Sequence, residues 1–141
     1  MKILVPVDGS GYSMKAVETA IEMAKAGPSE VMLLSVILNT SALEWGPPVS
    51  DKLRTLCEDA LSKAKTLMQE KGITPHTMLS TGISPADGII RTAKEGNFDM
   101  IVIGSRGLTG LKKFLLGGTA SKVVTYAPCS VLVVKIPEAE S

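Results

Sequence analysis

The amino-acid sequence predicts a doubly wound α/β fold, and three observations predict it. Five short apolar runs rich in Val, Ile and Leu recur along the chain. Segments with helical periodicity lie between them, so strands and helices alternate. The runs are continuously apolar, as expected for parallel strands that are buried on both faces. Because the chain has 141 residues, we expect residues 1–141 to form a single Rossmann-like domain.

Each predicted element has its own local signal. The strands are predicted at residues 3–7, 31–38, 77–79, 100–103 and 131–134. The first helix has an apolar face formed by Val17, Ala20, Ile21 and Ala24. The second helix has a longer apolar face formed by Leu53, Leu56, Cys57, Ala60, Leu61, Ala64, Leu67 and Met68.

Residues that favour caps and turns mark the helix boundaries. Gly27 and Gly72 follow the first and second helices and are expected to end them. Ser84 is predicted to be the N-cap of a third helix, with Pro85 at its first position and Asp87 in its first turn. These boundaries place each helix between two strands, as a doubly wound fold requires.

Composition and charge narrow the function classes. Lys and Arg total 15 against 14 Asp and Glu, so we expect no surface for nucleic acid. No apolar run reaches the roughly 20 residues that span a bilayer, so no membrane association is expected. Cys57 and Cys129 lack metal-ligand spacing, and we expect buried, unreactive thiols in a soluble cytoplasmic protein.

The most informative segment runs from residue 101 to residue 119. An apolar strand leads into a loop with glycines at 104, 107 and 117, and a helix is predicted to begin near its end. Glycine lets the backbone approach a ligand closely, and a helix N-terminus presents N–H groups and a positive dipole end. The segment therefore predicts a phosphate site formed by backbone N–H groups around Gly104, Gly107 and Gly117.

The spacing Gly104-x2-Gly107-x9-Gly117 resembles the G-x2-G-x9-G-[S/T] signature of the universal stress protein family, in its nucleotide-binding branch. Residues 3–10, Ile-Leu-Val-Pro-Val-Asp-Gly-Ser, are similar to that family's opening strand and turn. Residues 127–134, Ala-Pro-Cys-Ser-Val-Leu-Val-Val, resemble its closing strand. The three segments occur in the family's order, so the resemblance covers nearly the whole chain.

The resemblance implies the strand order 3-2-1-4-5. In that order the winding reverses between the first and fourth strands, and ligands of doubly wound sheets bind beside such a reversal. The resemblance then implies that Pro6, Val7 and Asp8 face the glycine loop across one cleft. Asp8 either receives hydrogen bonds from ribose or adenine or serves only as a turn former and helix cap. Val36 matches the family position whose backbone contacts the adenine edge, although core packing explains its side chain equally well.

Position 118 departs from the signature, because Gly118 stands where the family has Ser or Thr. The hydroxyl of Thr119, one residue later, is expected to cap the helix, to contact a phosphate, or to do both. If Gly118 takes the role of the third glycine, the loop contains one extra residue. Ser105 and Arg106 lie inside the loop, where Arg106 either reaches phosphate as a planar fork or lies on the solvated surface.

Three other features are expected to be peripheral. Lys112 and Lys113 form a solvated patch near the phosphates, with direct phosphate contact as the alternative. Trp45 lies in the longest irregular stretch and either packs on its own domain, covers the cleft or forms a subunit contact. His76 has no partner at metal-ligand spacing, so we expect it to be structural and expect no metal site.

The resemblance implies a small regulatory protein of the stress response that binds ATP or AMP, with any Mg²⁺ carried on the phosphates. We expect no enzyme activity beyond slow ATP hydrolysis, since the sequence has no Ser/His/Asp or Cys/His constellation. One alternative is a nucleotide-free interaction dimer of the same fold. Another is an adenylating enzyme, whose S-G-G-x-D-S motif is replaced here by residues 8–13, Asp-Gly-Ser-Gly-Tyr-Ser.

The final strand, Val131 to Val134, is expected to lie at a sheet edge. An uncovered edge of four apolar residues is an aggregation hazard, and pairing with a second copy would cover it. The resemblance also implies a homodimer formed in this way, with an unknown regulatory protein as a further partner. The alternative is that the C-terminal tail, Lys135 to Ser141, shields the edge.

Overall fold

Strands and helices alternate along the chain, as predicted. The computed structural model describes residues 1–39, 47–107 and 116–136. In these residues the strands are β1 (Lys2–Pro6), β2 (Glu30–Leu38), β3 (His76–Gly82), β4 (Met100–Gly104) and β5 (Ser130–Val134). The helices are α1 (Gly11–Ala26), α2 (Pro47–Glu70), α3 (Pro85–Glu95) and α4 (Gly118–Tyr126).

All five strands form one parallel sheet in the order β3-β2-β1-β4-β5. The predicted fold class and strand order are therefore confirmed. Strand β1 is central, because Ile3 pairs with Val31 of β2 on one side and with Met100 of β4 on the other. The winding reverses between β1 and β4. Strands β3 and β5 are the two edges.

Helices cover both faces of the sheet and create two separate cores. Ile3 and Val5 of β1 point toward the face covered by α1 and α2, while Leu4 points toward α3 and α4. All three side chains are fully buried. Complete burial of such a side chain contributes about 1.5–3 kcal/mol to folding, so the two cores hold β1 rigidly from both sides.

The caps also follow the sequence prediction. Ser84 Oγ accepts a hydrogen bond of 3.2 Å from the N–H of Asp87 and caps α3. Gly72 adopts a φ of +82° just after α2 and ends that helix in a conformation that favours glycine. No helix within residues 1–39, 47–107 and 116–136 is both long and apolar enough to cross a membrane.

The predicted apolar face of α2 is buried in the core only along its second half. Ala60, Ala64 and Met68 are buried in the core as expected, whereas Leu56 is 51% exposed. The reason is the direction of α2, which starts at the carboxyl end of β2 and runs back along the sheet. Its first half therefore lies beyond the sheet, where Leu56 lines an open cleft.

Candidate functional site

A cleft of about 680 Å³ opens at the carboxyl ends of the strands, beside the reversal between β1 and β4. Ten of the residues proposed from sequence line it: Pro6, Val7, Asp8, Val36, Gly104, Arg106, Gly107, Gly117, Gly118 and Thr119. The exception is Ser105, which is buried beside the cleft. The fold thus brings together segments that are far apart in the sequence.

Asp8 is held by the turn between β1 and α1. Its Oδ1 accepts a hydrogen bond of 2.9 Å from the N–H of Ser10, and its own N–H donates to Ser13 Oγ at 3.4 Å. Gly9 completes the turn with a φ of +87°, which favours glycine. The predicted turn role of Asp8 is confirmed, but the cap of α1 is Ser10 rather than Asp8.

The other carboxylate oxygen of Asp8 faces the glycine loop. A Cβ at Gly107 would lie 2.7 Å from Asp8 Oδ2. Contacts that short are not formed by real Cβ atoms, so a side chain at position 107 requires the carboxylate to move. The loop after β4 and the turn after β1 therefore meet at Gly107, where a side chain would compete with the Asp8 carboxylate for the same space.

Backbone hydrogen bonds join the two ends of the glycine loop. The N–H of Ser105 donates to the carbonyl of Val134 at 2.8 Å, and the carbonyl of Ser105 accepts from Gly117 at 2.7 Å. A Cβ at Gly117 would lie 3.1 Å from both Ser105 O and Arg106 Cα. Ser105 thus acts through its backbone, which anchors the loop to β5 and to the start of α4.

Gly117, rather than Gly118, makes the close backbone contact at the end of the glycine loop. Gly117 packs against the backbone of residues 105 and 106, whereas a Cβ at Gly118 would meet nothing within 4 Å. Position 118 has room for the hydroxyl side chain that the signature carries there.

Helix α4 begins without a side-chain cap. Its N-cap is Gly117, and the first turn contains no acidic residue. The N–H of Ser121 donates to Gly117 O at 2.9 Å, so the preceding N–H groups of Gly118, Thr119 and Ala120 lie in the uncapped turn beside the cleft. The capping role predicted for Thr119 is wrong, because this residue lies inside the first turn.

Arg106 does not lie on the solvated surface, which was one of its two predicted positions. It is only 8% exposed and lines the cleft between Gly104 and Gly107. A guanidinium group is always charged at neutral pH, and it suits phosphate as a hydrogen-bonding partner. Arg106 therefore carries a permanent positive charge in the loop that packs against Gly117, the N-cap of α4.

Val36 turns its backbone toward the cleft. The N–H of Val7 donates to Leu34 O, whereas the N–H of Asn39 donates to Gly82 O. Since backbone groups alternate in direction along a strand, those of Val36 point toward β1, as those of Leu34 do. Strand β1 ends at Pro6, opposite Leu34. The polar backbone of Val36 thus lies past the end of its neighbouring strand, where Cys57 Sγ is 3.6 Å from Val36 O.

The apolar wall of the cleft was not predicted from the sequence. This wall comes from the end of β2, the first half of α2 and the start of α3, and includes Leu38, Leu53, Leu56, Cys57, Pro85 and Ile89. The available signal was topological. Both α2 and α3 begin directly after strands that end at this side of the sheet, so their first turns border the same cleft.

The remaining candidate residues lie apart or outside the described ranges. His76 is exposed at the start of β3, with its Nε2 3.4 Å from Glu30 Oε1. Both cysteines are free thiols and only partly buried. In the part of the chain that the structure describes, no three His, Cys, Asp or Glu side chains are grouped to hold a metal ion. Trp45, Lys112 and Lys113 lie outside the described residues.

The family model and the known relatives of this chain indicate the same family. The model of the universal stress protein family matches residues 1–135. Universal stress protein MJ0531 of Methanocaldococcus jannaschii is 37% identical over 145 residues, which cover 99% of this chain and 84% of that protein.

Solved structures share the fold. The structure of hypothetical protein MJ0577 has a TM-score of 0.85 and 29% identity, and the match covers 97% of this chain and 96% of that one. The universal stress protein from Archaeoglobus fulgidus, solved in complex with dAMP, has a TM-score of 0.75 at 24% identity, with 96% and 98% of the two chains covered. The family match and the shared fold place this chain in the universal stress protein family.

Proposed function

We propose that this protein binds an adenine nucleotide, ATP or AMP, in the cleft between β1 and β4 and acts as a regulatory protein of the stress response. The observation that carries the proposal is the close approach of the cleft walls at two glycines. Gly107 lies against the Asp8 carboxylate and Gly117 against the backbone of residues 105 and 106. Such close packing leaves backbone N–H groups, rather than side chains, at the surface that a phosphate would contact.

The phosphates are proposed to bind at the start of α4. Its first N–H groups have no side-chain cap, and its first turn has no acidic residue that would repel an anion. Arg106 supplies a positive charge in the same cleft. Thr119 is proposed to donate its hydroxyl, which partly compensates for the hydroxyl that Gly118 lacks.

The base is proposed to bind beside Val36, between the apolar starts of α2 and α3. The backbone N–H and C=O of Val36 offer one donor and one acceptor, which suits the edge of adenine, while the apolar wall removes the ring from water. Asp8 is proposed to accept hydrogen bonds from the ribose. The universal stress protein from Archaeoglobus fulgidus was solved with a ligand of this chemical class, dAMP.

The proposed role is regulatory rather than catalytic. Asp8 is the one carboxylate found among the described residues of the cleft wall, so we propose that any Mg²⁺ is carried by ATP itself. Protein sites commonly bind Mg²⁺ through one or two carboxylates together with substrate phosphates, so a single carboxylate leaves most of the ligands to the phosphates and water. Slow ATP hydrolysis is the most that we propose. Bound nucleotide would instead change the affinity for a regulatory protein partner.

We also propose that the working unit is a cytoplasmic homodimer. Strand β5 is an edge of the sheet, and Leu132 in its middle is 38% exposed. Pairing with β5 of a second copy would cover this edge in a closed, two-fold assembly.

Thermal unfolding with added nucleotide tests the proposed ligand. A ligand at a hundredfold excess over its dissociation constant stabilises the native state by about 2.7 kcal/mol. We expect ATP or AMP to raise the unfolding temperature, and ribose 5-phosphate at equal concentration to raise it less. Mass spectrometry of ligands released from the denatured protein should identify an adenine nucleotide. No stabilisation by either nucleotide would contradict the proposal and favour the nucleotide-free interaction dimer.

A further inference from the structure

We infer that Gly88 is a positioning residue for the base subsite, because the lack of a side chain there lets α3 set the position of Val36. The inference rests on the proposed function, in which the backbone of Val36 contacts the base. Gly88 is buried within α3 and faces β2. A Cβ at Gly88 would lie 2.8 Å from both Cγ atoms of Val36.

Val36 is enclosed by three different elements. Besides Gly88 of α3, Gly82 at the end of β3 faces it, with a Cβ position 3.4 Å from Val36 Cγ1. On the opposite side of the strand's backbone, the Cys57 thiol of α2 lies 3.6 Å from Val36 O. Contacts from α2, α3 and β3 thus hold Val36 in place at a point where β2 extends beyond the end of β1.

Glycine at position 88 has a cost for α3 itself. Glycine is one of the poorest residues in a helix interior, because it loses more backbone freedom than alanine does. The helix is nevertheless regular there, since Thr92 Oγ1 donates to Gly88 O at 2.8 Å and the N–H of Gly88 reaches Ser84 O at 3.3 Å. Close approach to β2, rather than an unusual backbone angle, explains glycine at this position.

A side chain at position 88 has a specific consequence. The contact of 2.8 Å must be relieved by moving Val36 or by lifting α3 away from β2. Either movement changes how the Val36 backbone meets the base, because α3 also contributes Pro85 and Ile89 to the cleft wall. The contacts of Gly107 with Asp8 and of Gly117 with residues 105 and 106 do not involve α3, so this part of the phosphate end should stay unchanged.

A double-mutant cycle tests this inference by calorimetric titration with AMP and with ATP. We expect Gly88→Ala to weaken binding about tenfold, the effect of losing roughly one or two good hydrogen bonds. The loss should be equal for AMP and ATP, because they share the base. In the Val36→Ala background, Gly88→Ala should have no further effect, because the remaining Val36 Cβ is an acceptable 3.4 Å away.

Two further variants control the cycle. Gly27→Ala adds a methyl group where nothing lies within 4 Å and should leave the affinity unchanged. Val36→Ile crowds the same contact from the strand side, keeps Gly88, and should weaken binding even if Gly88→Ala does not fold. If the wild type binds nucleotide and both Gly88→Ala and Val36→Ile bind it equally well, the role of Gly88 is overturned and the proposed function is not. An equal loss of affinity from Gly88→Ala in the wild-type and Val36→Ala backgrounds would also overturn the role of Gly88. A wild type that binds neither AMP nor ATP would overturn the proposed function as well.

Discussion

The Asp8 carboxylate occupies the space that a side chain at Gly107 would need, with Oδ2 2.7 Å from the position of a Cβ there. The two residues follow β1 and β4, which are neighbours only because the winding of the sheet reverses between them. Gly107 does not adopt the left-handed backbone conformation. Crowding by the Asp8 carboxylate, rather than backbone strain, therefore disfavours a side chain at position 107, and the same closeness allows one ligand to touch both segments.

Gly107→Val should abolish nucleotide binding. The valine side chain must displace the Asp8 carboxylate and would intrude where the backbone meets the ligand. The stabilisation of about 2.7 kcal/mol expected from a hundredfold excess of nucleotide should disappear in thermal unfolding. Gly27→Val is the matched control, because position 27 is extended and has open space around it. Equal stabilisation of both variants by ATP or AMP would place the ligand elsewhere.

Gly118→Ser should strengthen phosphate binding. The position has open space, and a serine there restores the hydroxyl of the family signature at the start of α4. One added hydrogen bond contributes about 0.5–1.5 kcal/mol, so the dissociation constant should fall by roughly two- to tenfold. Calorimetric titration with ATP measures the change. A serine variant that binds ATP no better than wild type would show that the phosphates do not reach this turn.

Val133→Pro should weaken the proposed homodimer and leave the monomer folded. The carbonyl of Val134 bonds to Ser105 of the glycine loop, so by alternation the N–H of Val133 points to the free edge of β5. Proline removes that outward donor. Leu132→Pro is the contrasting variant, because its N–H points toward β4 and its loss should destabilise the fold itself. Light scattering across a dilution series checks the result, and a Val133→Pro dimer as tight as wild type would rule out this interface.

The Cys129 thiol should react slowly with iodoacetamide. Burial raises the pKa of Cys129 above its ordinary value of 9.0, and the negative charge of Asp99 raises it further. Since the thiolate is the reactive form, a raised pKa lowers the reactive fraction at pH 8. The rate should increase with pH with a midpoint above that of the unfolded chain, and Asp99→Asn should move the midpoint down. Peptide mass spectrometry measures the modification of Cys129 separately from that of Cys57. A Cys129 midpoint equal to that of the unfolded chain would contradict the prediction.

The sequence predicted the sheet and the cleft well because both depend on patterns that local chemistry imposes. Continuous apolar runs and the glycine spacing can be read directly from the amino-acid sequence. The strand order came from the family resemblance. Burial of Arg106 and exposure of Leu56 were not predictable, because they depend on where a loop and a helix lie relative to the end of the sheet. The contact of Gly88 with Val36 was missed for a similar reason, since periodicity does not report how closely a helix approaches a strand.

Titration of the ¹⁵N-labelled protein with AMP, followed by backbone amide NMR, tests the proposed nucleotide cleft most directly. We expect the largest shifts at the amides of Val36, Gly107, Gly118 and Thr119, which lie on the facing walls of one cleft. Amides of the exposed β3 edge, such as Thr77, should stay unchanged. Saturating AMP that leaves the cleft amides unmoved, or that shifts only residues outside the cleft, would contradict nucleotide binding between β1 and β4.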